Sequence, residues 1–262
     1  MSGNMHRFMT NFKSYKFLLT ELIKKDVQSK YKDSVLGLFW SFLNPLLQMI
    51  VLTIVFSTFF SRSIPNFPVY LLTGRLILDL FAKGTSGAMT SIKINKAIVQ
   101  KIYVPKYMFP LGSICAEFIN YLISLIVLVL VMIVTGQEFY FTIIYAVIPI
   151  FLVLILTIGV GLILTTLATY FTDINYLWKV VTMMLTYLSA VFYPIDIVPK
   201  RFLIFFKLNP IYSAIASCRA CILYDSFPEI KMLLYLAACA FISLILGLII
   251  FYKYQDEFIL RI

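Results

Sequence analysis

Apolar runs long enough to cross a bilayer recur along this chain, and they leave few folds open to it. A helix that spans the hydrocarbon core needs about 20 mostly apolar residues. With that window the sequence offers runs at residues 35–60, 67–81 with a polar extension, 108–135, 141–170, 177–193 and 232–252. Charged residues make up 13% of the 262 and hydrophobic residues 61%; a soluble domain carries roughly 25% charged residues. The expected fold is therefore an all-α membrane protein with six transmembrane helices. A further apolar stretch, 202–224, is interrupted by Lys207, Asn209, Pro210 and Arg219. Backbone breaks at membrane depth survive only inside protein or beside water. This stretch reads as short re-entrant or interfacial helices before the last span, within a loop over 194–231.

Ahead of the first span lies KSYKFLLTELIKKDVQSKYK, residues 13–32. Phe17, Leu18, Leu22, Ile23 and Val27 recur at helical spacing, flanked by Lys16, Lys24, Lys25, Lys30 and Lys32. Such a helix is suited to a membrane interface, cations among anionic headgroups and apolar face in the acyl boundary. An ordinary solvated helix has the same pattern, but the apolar span that follows favours the interface. The chain thus divides into a tail with an amphipathic helix, 1–34, and a membrane domain, 35–262.

Basic residues set the expected orientation. Arg7, Lys13 and the lysines of the amphipathic stretch precede the first span, and Lys83, Lys93, Lys96, Lys101 and Lys106 lie between the second and third. The connections after the first and third spans carry only Arg62 and Glu138. The positive-inside rule then puts the N-terminus and the second connection in the cytoplasm. Six spans bring the C-terminus back to the same side. The loop over 194–231 is basic and faces outward in this scheme, but long loops obey the rule poorly.

A net charge of +10 raises nucleic acid as a partner, yet the cations hug span ends, where anionic lipid and cytoplasmic partners sit. No nucleic acid is expected. The first apolar run is too long and too late for a cleaved signal.

Soluble chemistry finds little support. The nearest approach to a phosphate-binding loop, Lys83-Gly84-Thr85, has the wrong order and no preceding glycine frame. The single histidine, His6, leaves neither a metal site nor histidine acid–base chemistry. Cys218-Arg219-Ala220-Cys221 is formally C-x-x-C but has no second pair, so packing is the plainer role. No catalytic residue, metal or cofactor is assigned to the chain.

Ionisable groups inside apolar spans are costly and usually face protein or water. Arg75 and Asp79 are one helical turn apart, and Glu117 with Asn120 shares a face of the third span. They are either a packing lock, Arg75–Asp79 or Arg75–Glu117, or the lining of a hydrated path for an anionic substrate. Among 24 Phe and 17 Tyr, most fit interface belts. Phe39, Trp40 and Phe42 at the start of the first span, and Tyr187, Phe192 and Tyr193 along the end of the fifth, fit a belt less well. Aromatic faces can hold the C–H surfaces of sugar rings, although core packing remains the plainer reading for any one of them.

Several stretches carry a family resemblance. Ser34-Val35-Leu36-Gly37-Leu38-Phe39-Trp40 through Asn44-Pro45-Leu46 resembles the first span of permease subunits of polysaccharide-exporting ABC transporters, the O-antigen and teichoic-acid kind. Tyr70-Leu71-Leu72-Thr73-Gly74, Asn95-Lys96-Ala97-Ile98-Val99 with Val104-Pro105-Lys106, and Leu164-Thr165-Thr166-Leu167 before Tyr170-Phe171-Thr172-Asp173-Ile174 continue it. Val191-Phe192-Tyr193-Pro194-Ile195 and Leu208-Asn209-Pro210-Ile211 close it, in the family's order over nearly the whole chain. Arg75 departs from the pattern, standing where the family usually has an apolar residue, and an aromatic usual a few residues on is replaced within Leu78-Asp79.

The resemblance implies a homodimer with two separate ATP-binding-cassette ATPase subunits, in the cytoplasmic membrane of a bacterium. ATP and magnesium would act on the partner. The cargo would be a polyprenyl-pyrophosphate-linked glycan, and membrane lipid would surround the complex. Segments 91–106 and 170–178 would couple to the ATPase, through Asn95, Lys96, Ile98, Val99, Pro105, Asp173 and Asn175. The first and fifth spans of both copies would line the channel with the six aromatics named above. Two alternatives stay open at this point: a permease for drugs or small lipids on the same fold, and a membrane-embedded enzyme acting on lipid-linked sugar. The latter would need clustered carboxylates, and Asp196, Asp225 and Glu229 are scattered.

Overall fold

The computed structural model describes residues 15–30, 34–37, 39–60, 64–101 and 104–258. His6, Arg7, Lys13, Lys32, Leu38 and Arg62, named above, lie outside the described residues. Within them the chain is helical, with no strands.

The amphipathic stretch forms α1, Lys16–Ser29. It is docked on protein, not detached. Its buried residue is Leu22, and Gly112 makes room for it: a Cβ on that glycine would sit 3.2 Å from Leu22 Cβ.

The first apolar run is α2, Phe39–Phe60, with Pro45 inside it. Proline gives no N–H to the preceding turn and weakens the helix there. This helix packs on few neighbours, and Leu47, Ile50, Val51 and Ile54 are exposed along it.

The centre of the molecule is α3, Phe67–Ile94. Asn66 caps it by accepting from Val69 N, and a proline sits in its first turn, a favourable start for a helix. The expected span over 67–81 continues unbroken to Ile94. At 1.5 Å per residue its 28 residues reach about 42 Å, so the polar extension is the same rod prolonged. A short helix, α4, Lys96–Lys101, follows.

Two long apolar helices pack on α3: α5, Met108–Val134, and α6, Val147–Tyr170, the latter entered through a 3-10 segment, Phe141–Ala146. The last helix, α10, Ile230–Tyr254, lies against α6. At their crossing Gly159 and Gly247 let backbone meet backbone: a Cβ on Gly159 would lie 2.4 Å from Leu244 N, and one on Gly247 2.5 Å from Gly159 O. Small residues at such crossings are how apolar helices approach closely when lipid offers no hydrophobic contrast.

The expected fifth span is α7, Ile174–Leu188, which has no buried residue. Its 15 residues give about 22 Å, short of the roughly 30 Å of hydrocarbon. Ala190 follows with φ 48°, a left-handed turn that an L-residue adopts at a cost, so residues 189–193 leave the helix. The interrupted stretch forms two helices, α8, Leu203–Lys207, and α9, Pro210–Leu223. They meet at Asn209, whose side chain accepts from Ile211 N at 3.0 Å. The break expected from Lys207, Asn209 and Pro210 falls there.

Four helical segments among the described residues are long and apolar enough to cross a membrane: Phe39–Ser57, Met108–Val134, Phe141–Tyr170 and Ile230–Glu257. Six were expected. The other two do not meet that measure, α3 because Arg75, Asp79, Lys83 and Lys93 dilute its apolar character, and α7 because it is short.

Candidate substrate path and coupling surface

The charged residues of α3 and α5 form two separate ion-pair groups. Arg75 Nε stands 3.0 Å from Asp79 Oδ1, a charge contact without hydrogen-bond alignment. Lys83 Nζ donates to Asp79 Oδ2 at 2.8 Å. Glu117 is buried and takes its partner from the end of α1, Lys30 Nζ. Of the two pairings expected for Arg75, the one within its own helix is present. Glu117 is instead the point where α1 is fastened to the bundle. Lys25, one turn earlier on α1, donates to Asn95 Oδ1.

Between α1, α2, α3 and α5, Lys30, Asp79, Lys83 and Glu117 line a cleft of about 340 Å³. Trp40, Asn44 and Pro45 form the α2 wall, and Asn120, Tyr121 and Ser124 the α5 wall. Asn120 Nδ2 lies 3.4 Å from Glu117 Oε2. Its Oδ1 is buried and meets no donor among the described residues.

The six aromatics expected along a channel do not gather in one place. Phe39 stacks on Phe42 at 5.7 Å, at the start of α2. Phe192 stacks on Phe56 at 5.8 Å, near that helix's other end. Fourteen residues separate Phe42 from Phe56, about 21 Å of helix. Tyr187 is exposed, whereas Tyr193 is half-buried and donates to the Tyr187 carbonyl at 2.6 Å. Two groups at opposite ends of α2 are what one chain presents.

The residues expected to couple to an ATPase divide by exposure. Lys96 and Asp173 are exposed, while Asn175 is half-buried and donates to the Thr172 carbonyl at 2.9 Å. Asn95 is 4% exposed and Val99 5%; Ile98 and Pro105 are half-buried. Asn95 caps α3 inward, its Nδ2 donating to the Ser91 carbonyl. The outward face of α4 and its approach is Ile94, Lys96 and Ala97.

Arg219, in the sequence an interruption of an apolar stretch, is a structural centre in the fold. It is 5% exposed, and no carboxylate among the described residues pairs with it. Its guanidinium donates to three carbonyls: Tyr70 from Nε and Nη2 (3.2 and 3.1 Å), Ala190 from Nη1 (2.9 Å) and Val191 from Nη2 (3.0 Å). Its Cζ lies 3.3 Å from the centre of the Tyr70 ring, within cation–π range. Gly74 makes the approach possible, since a Cβ there would stand 2.6 Å from Nη2. The Tyr70-to-Gly74 stretch thus supports α9 and the unwound end of α7 at once. The neighbouring Cys218 and Cys221 are free thiols in the core.

Among known proteins, residues 18–223 match the model of the family described as ABC-2 type transporter. An O-antigen export system permease protein RfbA from Klebsiella pneumoniae is 29% identical over 92% of this chain and 93% of its own length. A protein of that description from Myxococcus xanthus is 24% identical over 97% and 98%, and the polysialic acid transport protein KpsM of Escherichia coli 24% over 95% and 97%. The family is one of transporters, not enzymes. The match covers more than three quarters of the 262 residues, and this chain belongs to the ABC-2 type transporter family.

Proposed function

We propose that this chain is the channel-forming subunit of an ABC exporter for a lipid-linked surface polysaccharide. The observation that carries the reading is the similarity, nearly end to end, to permeases whose names state O-antigen export and polysialic acid transport. A drug or small-lipid permease has no such support. In this reading α3 and α7 cross the membrane with the four long apolar segments, both termini lie in the cytoplasm, and α8 and α9 sit in the outward interface. The chain works in the inner membrane as a homodimer with two ATPase subunits, which bind ATP and magnesium; it holds no cofactor itself.

The uncovered length of α7 and the sparse cover of α2 support a second copy with a path between them. Ile94, Lys96 and Ala97 near α4, with Asp173 before α7, offer an accessible surface for the ATPase. Substrate release follows from a rigid-body change at the dimer interface driven from that surface.

Gentle affinity purification from native membranes, with mass spectrometry of what co-elutes, tests it. A P-loop ATPase in equal amount, the assembly running as two plus two, is the expected result. A lone permease under conditions that hold known transporter complexes together overturns it. Deleting the gene is expected to strip the cell surface of one polysaccharide.

A further inference from the structure

At the end of the bundle where α4 lies, a second hydrophobic core is separate from the one inside the bundle. Leu22 of α1, Ile92 of α3, Val99 of α4, Met108 of α5 and Leu162 of α6 belong to it. One more member comes from beyond the final helix. After Tyr254 the chain takes a 3-10 turn, Gln255–Glu257. Phe258 then folds back to complete burial, edge-on to Phe251 with ring centres 5.3 Å apart. The spanning length of α10 is complete at Tyr254, so crossing the membrane does not call for this turn.

The same turn takes hold of two connections. Lys106, at the exit of segment 91–106, donates from Nζ to the Gln255 carbonyl at 2.6 Å. Tyr170, where α6 ends and segment 170–178 begins, donates from its hydroxyl to Glu257 Oε2 at 2.7 Å. The Tyr170 ring also stands edge-on to Tyr254, with centres 5.7 Å apart. Each hydrogen bond has an ionised partner, which makes it shorter and roughly twice as strong as a neutral one. Burial of Phe258 is non-directional: it attaches the turn to the core without setting the position of either connection. The two directed bonds do set it, and both end on one short turn of backbone.

We propose that the turn Gln255–Phe258 is a staple that holds the two inward connections, 91–106 and 170–178, in register. Phe258 is its anchor, and Lys106, Tyr170 and Glu257 are its positioning residues. Coupling between sites travels through packed side chains and hydrogen bonds, and at this turn those of the two connections converge. Movement that the ATPase imposes on either connection then reaches α5, α6 and α10 together instead of bending one loop. The proposal rests on the reading of this chain as an ATPase-driven permease.

Hydrogen exchange on the full permease–ATPase complex in nanodiscs tests it. Tyr170→Phe keeps the ring and deletes only the hydroxyl, and Lys106→Met keeps most of the side-chain length without the ammonium. Tyr170→Phe is expected to speed exchange about fivefold in 170–178 and also across 91–106. Lys106→Met should do the same from the other side, and amides in the middle of α6 should keep their wild-type rates in both. Acceleration confined to the connection that carries the substitution overturns the staple. So does acceleration spread evenly over the chain, which a merely structural role would give, and so does no change.

In cells, Tyr170→Phe should reach the membrane at the wild-type level with its ATPase bound. Surface glycan exported per ATP hydrolysed should fall about fivefold. Tyr170→Phe combined with Glu257→Ala should do no more damage than either alone, because both break one bond. Full export in the combined variant overturns the proposal. If instead no ATPase purifies with the unaltered chain, or deleting the gene leaves every surface glycan in place, the export reading fails, whatever the turn holds.

Discussion

Arg219 shows how much one residue can hold. A guanidinium without a carboxylate is tolerated at such depth because five N–H donors in a rigid fork can be satisfied by carbonyls. The carbonyls of Ala190 and Val191 lie past the end of α7 and need donors. Arg219→Met is expected to cost about 2–4 kcal/mol, since it leaves buried acceptors unmade; thermal unfolding of the purified protein measures it. Arg219→Lys should recover only part, a point charge being unable to reach three carbonyls. The sequence displayed Arg219 as a lone cation in an apolar helix, the signal that could have marked it. Its partners were hidden, because two are backbone atoms freed by the turn at Ala190, and no residue type announces a free carbonyl. A second case lies on α1. Burial lifts the carboxyl of Asp26 above its ordinary value, against the pull of Lys25, Lys30 and Ser113 and with help from Glu117. An acid whose folded pKa is raised is penalised when ionised. Stability from this group is therefore present at low pH and lost as pH rises from the usual carboxylate value through the raised one. Asp26→Asn is expected to stabilise the docked helix at neutral pH and to flatten stability against pH above the usual carboxylate value, read by thermal unfolding across a pH series.

At the scale of elements, periodicity and length were legible where one helix is apolar throughout, as in α5, α6 and α10. They misled where other constraints ruled. The span over 67–81 was cut short because Lys83 and Lys93 look like an end, yet Lys83 and Arg75 share Asp79 and the helix runs past them. The run over 177–193 looked longer than α7 because residues 189–193 are apolar, while Asn209 Nδ2 and Arg219 take the carbonyls of Leu188, Ala190 and Val191 out of the helical ladder. Hydropathy registers solvent preference, not backbone geometry. The crossing of α6 and α10 gives the clearest prediction at this scale. Gly159→Ala puts a methyl into the backbone of residues 243 and 244, where no rotamer change can make room. Overpacking costs about 1–3 kcal/mol, and the upper end is expected here. Ala238→Gly on α10, at a position that makes no such approach, should cost about 1 kcal/mol through helix propensity alone. Comparing the two separates the crossing from a general weakening of the helix.

For the whole molecule, the question is which water-free faces of one copy remain apolar because lipid covers them and which because a partner or path does. The outer face of α10 exposes Phe241, Ile242, Ile245 and Ile249, with no polar atom among them, as lipid contact requires. The exposed face of α7 differs. Val180, Met183 and Met184 are interleaved with Tyr176, Lys179 and Tyr187, and Lys179 Nζ lies 5.8 Å over the Tyr176 ring. A cation and two phenols along a 15-residue helix would be poorly placed in hydrocarbon but fit the wall of the wet path proposed between two copies. Cysteine accessibility distinguishes these environments, because a thiol must ionise to react and does so in water, not in lipid. With Cys115, Cys218, Cys221 and Cys239 replaced, Val180→Cys in native membranes is expected to react with a charged, water-soluble thiol reagent at least about tenfold faster than Ile245→Cys on α10. In the proposed dimer, ATP analogues that trap the ATPase should change the Val180→Cys rate and leave the other unmoved, since only a face on the moving interface would feel the switch. Equal, slow labelling at both positions would put α7 in lipid, and the path would then have to be sought along α2 alone.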